Sequence, residues 1–352
     1  MMLSLNRYMW ASGICLLAVF ALSLTGYRGQ DAISGASGAS PDHKDSHAFR
    51  SLASPSSFPM TVIDALGRKV TIPRVPRRIV SLAPSHTELL FAIGAGDQVV
   101  AVTSFCNYPP EAQKRRRIGG FSSESQSLEE IIALNPDLVV AAGEWQWPMI
   151  HELERLGIPI VSLEAESLAD LFCELDLLGR LTGHGNDAAR LTQTMQHRVE
   201  QIKARAQAIP PEQRVTVFYH VWSEPLLTAG PGSFIAELIA LCGGLNIVAD
   251  ATQKYPQISQ EVLLARDPEV ILAPSSGAEP MTIEELRSRP GWNKLRAVRN
   301  NRIYLIDGDL ISRCGPRLVD ALEIMARTLY GDRFAALVKQ SRGGALREEQ
   351  KP

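Results

Sequence analysis

The sequence is poor in the signatures of catalysis. It has no G-x-S-x-G elbow, no His-Glu-x-x-His pair and no phosphate-binding loop, so the commonest motifs of acyl transfer, zinc proteolysis and nucleotide binding are missing. Its five cysteines include no C-x-x-C pair, which argues against a thioredoxin-type dithiol and a cysteine zinc site. Seven histidines are scattered, whereas a metal needs two or more converging ligands with an ordered surround. No catalytic residues and no metal ligands are assigned. The formal net charge of −2 over 352 residues offers no field suited to nucleic acid; the short basic run Lys114–Arg117 reads as a solvated turn.

The ends of the chain are simple. After Arg7, an apolar run from Tyr8 to Leu24 is close to signal-peptide length and short for a membrane span. Residues 1–28 therefore read as a signal peptide or an N-terminal membrane anchor, and either exports the rest. Cys15 lies inside the apolar run, so no lipoprotein pattern is evident. Residues 29–59, rich in Ser, Ala, Gly and Asp, lack periodicity and read as a flexible linker. Residues 341–352 read as a disordered tail. Between them roughly 280 residues allow two ordinary domains.

Two echoes suggest what those domains share. Ser127–Ala142 (SLEEIIALNPDLVVAA) recurs as Ser259–Pro274 (SQEVLLARDPEVILAP), with Ser127, Glu129, Ala133, Pro136 and Ala141 matched by Ser259, Glu261, Ala265, Pro268 and Ala273 at a constant offset of 132. Each copy reads as a Ser-capped helix, a Pro-containing turn and a strand. Glu88–Gly94 (ELLFAIG) is echoed by Glu237–Gly243 (ELIALCG), both apolar helix ends closed by Gly. Ser85 and Glu88 have the spacing of a capping box. The order is the same in both halves, and the period far exceeds that of solenoids.

The wider pattern is β-α alternation, which implies mostly parallel sheets covered by helices. Asp187 to Ala208 contains neither Gly nor Pro, and Leu191, Met195, Val199 and Ile202 recur at helical spacing. The fold class expected is α/β, two Rossmann-like lobes with mostly parallel sheets joined by one long α-helix. The lobes fall at 60–183 and 210–340, with the bridging helix at 184–209.

Ligands of open α/β sheets sit at the carboxyl ends of strands. The loops there hold Phe105, Tyr108, Phe121, Trp145, Trp147, Trp222 and Tyr255, many of the few aromatics in a chain that is 6% Phe, Trp and Tyr. Spread over both halves, they read as walls of an inter-lobe cleft suited to a flat ligand. Asp309 and Arg313 add polar contacts at its rim. His86 reads as solvent-facing, and His220, at a strand end, as the one histidine positioned for a ligand role. Cys173 and Cys242 read as buried thiols.

At these residues the chain resembles the vitamin B12-binding proteins of bacterial ABC importers, in the helical-backbone class of periplasmic binding proteins that also includes haem and ferric-siderophore binders. The resemblance is carried by Arg78–Pro110, by the Ser-capped helix with Asn135-Pro136-Asp137, by Cys242–Ile247 and by Tyr255–Ser259, and covers roughly Val62 to Leu329. It implies two lobes gripping cobalamin, which is a transported ligand and no catalytic cofactor. By motif position Phe105, Phe121, Trp222 and Tyr255 fall at or near aromatic contacts, and Asp309 and Arg313 at polar ones. Phe105 and Phe121 replace a Tyr and a Trp of the relative, and Trp145 lies near a further Trp at a different spacing. The resemblance also implies an ABC permease and ATPase as partners, with Glu129 and Glu261 docking on the permease, one from each lobe. The implied place is the periplasm or the outer face of the cytoplasmic membrane, with membrane contact through the permease and through the N-terminal segment if it is retained. A haem or ferric-siderophore binder of the same fold is the alternative, with His220, Tyr108 and Tyr255 as axial candidates for haem. An exported enzyme fits less well.

Overall fold

A computed structural model describes residues 58–331 and residue 334; the leader, most of the linker and the tail expected from the sequence lie outside the described residues. The chain enters through a hairpin, β1 (Met60–Ile63) against β2 (Lys69–Ile72), in register Met60 to Ile72. The Asp64 carboxylate closes its turn by accepting the N–H groups of Leu66 and Arg68, each at 3.0 Å.

The first lobe follows as β3 (Ile79–Ser81), α1 (Pro84–Ala92), β4 (Val99–Val102), β5 (Arg116–Arg117), α2 (Leu128–Ala133), β6 (Leu138–Ala142), α3 (Trp147–Arg155), β7 (Ile160–Leu163) and α4 (Leu168–Thr182). Its strands are all parallel, in the order β5-β4-β3-β6-β7. The chain winds outward in one direction from β3 and in the other from β6, so the loops after these two strands diverge and leave a crevice. The strands read as continuous apolar runs because helices cover both faces; every residue of β6 is buried.

Helix α5 (Gly185–Gln207) leads to the second lobe. That lobe comprises β8 (Thr216–Trp222), β9 (Leu227–Thr228), α6 (Phe234–Leu241), β10 (Leu245–Asn246), α7 (Gln260–Arg266), β11 (Val270–Pro274), α8 (Ile283–Ser288), α9 (Arg296–Arg299), β12 (Ile303–Ile306), α10 (Gly308–Ile311) and α11 (Leu318–Tyr330). The parallel order is β10-β8-β11-β12, with β9 antiparallel on β8. The switch of winding falls between β8 and β11, as it falls between β3 and β6 in the first lobe.

The sequence echo is a structural one down to the backbone. Ser127 and Ser259 each accept the N–H three residues on, from Glu130 and Val262. Asn135 and Asp267, 132 apart, both take left-handed φ values of 46° and 39°, a region that Asn and Asp tolerate better than other side-chain-bearing residues. The proline follows. Then the N–H of Asp137 donates to Arg78 O and that of Glu269 to Thr216 O, each at 3.0 Å.

Helix α5 has 23 residues, a length of about 35 Å. Met195, Val199 and Ile202 are its buried stripe, as the helical spacing predicts. Arg198 ties it to the second lobe through Asp320 at 2.6 Å and Glu323 at 2.9 Å on α11. One apolar cluster runs through both lobes, from Val140 of the first sheet to Val217 of the second by way of α4, α5 and α11. A shared core of this kind leaves room for a small hinge motion and resists a wide opening. Among the described residues no helix is long and apolar enough to cross a membrane.

Candidate functional site

The carboxyl ends of both sheets meet at the lobe boundary. On the first lobe the loop after β4 carries Phe105, Asn107 and Tyr108. Arg117 of β5 holds it by donating to Thr103 O at 2.5 Å and Cys106 O at 2.9 Å. The Cys106 thiol is buried below, within 3.2 Å of Thr87 Oγ1 and 3.1 Å of Thr103 Oγ1, and burial pushes its pKa up. Phe121 stands on the next loop. Gly120 lies between them, so close that a Cβ there would sit 3.6 Å from Phe105 Cε2 and 2.5 Å from Ser125 Oγ.

Gln146 is the residue that assembles this wall. Its side chain is fully buried. It accepts from Ala142 N at 2.8 Å and donates to Leu82 O at 2.9 Å and Phe121 O at 2.8 Å, joining the loops that follow β3, β5 and β6. Trp145 precedes it and is half-buried, while Trp147 is 45% exposed. The second lobe presents Trp222, half-buried at the end of β8, with Nε1 donating to Glu224 O at 3.1 Å. Tyr255 is buried in a loop that pairs through Thr228 N to Pro256 O at 3.1 Å and Ile258 N to Leu226 O at 3.0 Å.

Asp309 and Arg313 face the first lobe. Arg313 donates to Asp309 Oδ1 at 2.7 Å within its own lobe, and across the boundary to Glu88 Oε1 at 3.0 Å, Asn107 Oδ1 at 2.7 Å and Phe105 O at 3.4 Å. Asp309 accepts from Asn107 Nδ2 at 2.6 Å. Arg313 is only 8% exposed, so it lies inside the boundary and not at the rim that the sequence suggested. Of the sequence candidates, Phe105, Asp309 and Arg313 are in direct contact and Phe121 is one glycine away. Trp145, Trp222 and Tyr255 stand on three further loops of the same two sheet ends.

Several expectations need correction. Ser85 does not cap α1: the helix starts at Pro84 after Ala83, with no side-chain cap. The Glu88 carboxylate is buried and pairs with Arg313 and with Arg317, at 2.6 Å, because two guanidinium groups from the other lobe outcompete a backbone N–H. His86 is buried, not solvent-facing, and burial lowers its pKa to about 3. His220 is fully buried, edge-on to Phe218. Burial, helped by Arg289, lowers its pKa to about 3 and keeps it neutral. Cys173 is exposed, against the sequence reading of a buried thiol, whereas Cys106, Cys242 and Cys314 are buried. Asn107 and Gln146 were not singled out from the sequence. Polar residues flanked by Phe105, Tyr108, Trp145 and Trp147 were the available signal.

Glu129 and Glu261, in the first turns of α2 and α7, are both exposed. Ser127 Oγ donates to Glu129 Oε2 at 3.3 Å. A hydrogen bond from Ser259, with the helix-start backbone, holds Glu261 below the usual carboxylate range. Among the described residues no group of three or more His, Cys, Asp or Glu is arranged to hold a metal ion.

Comparison with known proteins gives a consistent neighbourhood. Residues 79–310 match the family model described as periplasmic binding protein. An uncharacterized ABC transporter substrate-binding lipoprotein of Bacillus subtilis is 32% identical over 298 residues, covering 83% of this chain and 91% of that protein. A cobalamin-binding protein of Halobacterium salinarum is 31% identical over 325 residues, covering 89% and 84%. Among solved structures, the periplasmic haem-binding protein of a Roseiflexus species superposes with a TM-score of 0.65 at 28% identity, covering 73% of this chain and 99% of that one.

Proposed function

Because the chain belongs to the periplasmic binding protein family, we propose that it is the substrate-binding component of an ABC importer, and that it carries cobalamin or a related corrinoid between its lobes. It works outside the cytoplasm, in the periplasm or on the outer face of the cytoplasmic membrane. The observation that carries this reading is the meeting of Phe105, Asp309 and Arg313 across the lobe boundary, framed by Phe121, Trp145, Trp222 and Tyr255. Aromatic faces on several loops with a few fixed polar groups suit a large ring-shaped ligand that must be oriented as well as buried. The site residues act by binding and not by chemistry.

Delivery is assigned to Glu129 and Glu261. Their helices are equivalent units of the two lobes, so the pair offers matched carboxylates to a permease of two-fold symmetry. Each sits where the helix dipole favours negative charge, free to meet a cation of the partner.

Haem is the rival, since a haem-binding relative shares the fold. An axial ligand would have to come from Tyr108, which is 42% exposed, or from the buried Tyr255 and His220. Titrating the purified chain with cyanocobalamin while following tryptophan fluorescence, with haem as competitor, separates the two. A saturable one-to-one change that haem does not abolish supports the corrinoid. Saturation by haem alone overturns it.

A further inference from the structure

The chain enters the first lobe at the end that lies away from the cleft. Met60 opens β1 and pairs with Ile72, the last residue of β2. Residues 73–78 (PRVPRR) then run directly into β3. In a parallel sheet the segment before a strand lies at the amino end, whereas the aromatic loops of the candidate site follow the carboxyl ends. The point of entry and residues 73–78 therefore share one end of the lobe, opposite the cleft loops.

This segment is cationic and rigid. It holds Arg74, Arg77 and Arg78, all exposed, and no acid. Its two prolines have fixed φ. Gln98 Nε2 donates to Pro76 O at 2.8 Å, and the Asp137 carboxylate accepts the main-chain N–H groups of Arg77 at 2.9 Å and Arg78 at 2.8 Å. Arg78 Nε donates to Leu134 O at 2.8 Å. Among the described residues the guanidinium groups of Arg74 and Arg77 have no hydrogen-bond or ion-pair partner. Two other acids of this end have cations of their own, Asp97 in Arg115 at 3.4 Å and Asp187 in Arg190. Val75, between the unpaired arginines, is 38% exposed.

Unpaired guanidinium groups beside an exposed aliphatic side chain complement an anionic phospholipid surface, where phosphate oxygens lie over hydrocarbon. The formal net charge of the chain is −2, so any such attraction is local to this patch. The chain that enters here also carries the apolar run Tyr8–Leu24. Residues 25–57 separate that run from the first described residue, a spacing of about 30 Å for a flexible chain of that length.

We infer that Arg74, Val75 and Arg77 form a surface that rests on anionic phospholipid headgroups and leaves the cleft loops clear of the bilayer. The inference is independent of the ligand. It adds to the importer reading a resting place on the membrane that holds the permease.

The test reads contact at the patch itself. The full chain carries Cys15→Ser and Cys173→Ser, and one new thiol, Val75→Cys, is labelled with an environment-sensitive fluorophore. Vesicles of phosphatidylcholine alone are set beside vesicles of phosphatidylcholine mixed with phosphatidylglycerol. At low salt the probe should report about tenfold or more tighter binding to the mixed vesicles, and Arg74→Gln with Arg77→Gln should remove most of that gain, as for two cations at an anionic surface. Salt at about 0.5 M should abolish the gain by screening. The same fluorophore at Lys294→Cys, an exposed position of the second lobe, should show no such gain. Equal response to the two kinds of vesicle, an unchanged gain in the double variant, or the same gain at Lys294→Cys would overturn the inference and leave the importer reading standing. Failure of the wild type to take up cyanocobalamin would remove the corrinoid reading and leave this inference intact.

Discussion

Glu88 and Arg317 lie on opposite lobes and meet in a two-point ion pair, Arg317 Nε to Glu88 Oε2 at 2.7 Å and Nη2 to Oε1 at 2.6 Å. Arg313 adds a third bond to the same carboxylate, and the Arg317 guanidinium covers the Tyr108 ring at 4.0 Å from its centroid. Glu237, the echo of Glu88 in the second lobe, crosses the boundary the other way and accepts Leu168 N at 3.0 Å at the start of α4. The seam is therefore pseudo-symmetric: each lobe sends a glutamate from its Gly-ended helix to the start of the other lobe's last helix. The two glutamates differ in partners, and burial raises the pKa of Glu237.

Glu88→Gln should destabilise the fold by about 3 kcal/mol, because it leaves the half-buried Arg317 guanidinium without a carboxylate and the buried Arg313 with Asp309 as its one remaining carboxylate. By contrast Asp97→Asn, which breaks an exposed pair with Arg115, should cost at most about 1 kcal/mol. Urea unfolding of the two variants measures the contrast.

Glu174 on α4 carries a buried carboxyl that the binding site does not use. Burial pushes its pKa well above the glutamate range and Asp170 adds to this, while the N–H groups of Glu164 and Ala165 act in the opposite sense. The native state thus holds the proton more tightly than the unfolded chain. Stability from this group is present at low pH and is lost as pH rises from the ordinary glutamate value through the raised one. Glu174→Gln should therefore gain more over wild type at about pH 8 than at about pH 5 in the same unfolding measurement.

Among the four cysteines of the described residues, only Cys173 is exposed. A thiol reagent should label Cys173 in the native protein and reach Cys106, Cys242 and Cys314 only after denaturation. Peptide mapping of the labelled sites checks this, and prompt labelling of Cys242, whose thiol burial pushes up, would contradict the packing.

The double variant Glu129→Ala, Glu261→Ala should bind ligand as the wild type does, since both residues are exposed in the first turns of helices and lie outside the loops that carry the aromatic candidates. Uptake through the importer should fall by about tenfold or more, as expected when two interface charges are removed from their partners. Transport by cells expressing the variant at normal levels, set beside affinity of the purified protein, distinguishes docking from capture.

Most of the fold was legible because local chemistry and tertiary structure agree. The Ser caps at Ser127 and Ser259, the apolar runs of the strands and the uninterrupted α5 each carry their own signal. The candidate site was legible as loops, since strand ends in such sheets are where ligands are expected. It was less legible as contacts. Glu88 has the spacing of a capping residue, and nothing local tells that from an ion pair formed with residues more than 200 positions away. His86 and His220 looked accessible because burial on α1 and β8 is decided by what packs over them. Asn107 and Gln146 act through hydrogen bonds to distant loops, which composition does not encode.

Calorimetric titration of the full chain with cyanocobalamin, wild type beside Trp222→Ala, tests the central claim most directly. The account predicts one-to-one binding by the wild type and a loss of about tenfold or more on removing the Trp222 ring, as for an aromatic anchor in a binding site. Absence of binding by the wild type, or equal affinity of the two proteins, would contradict it.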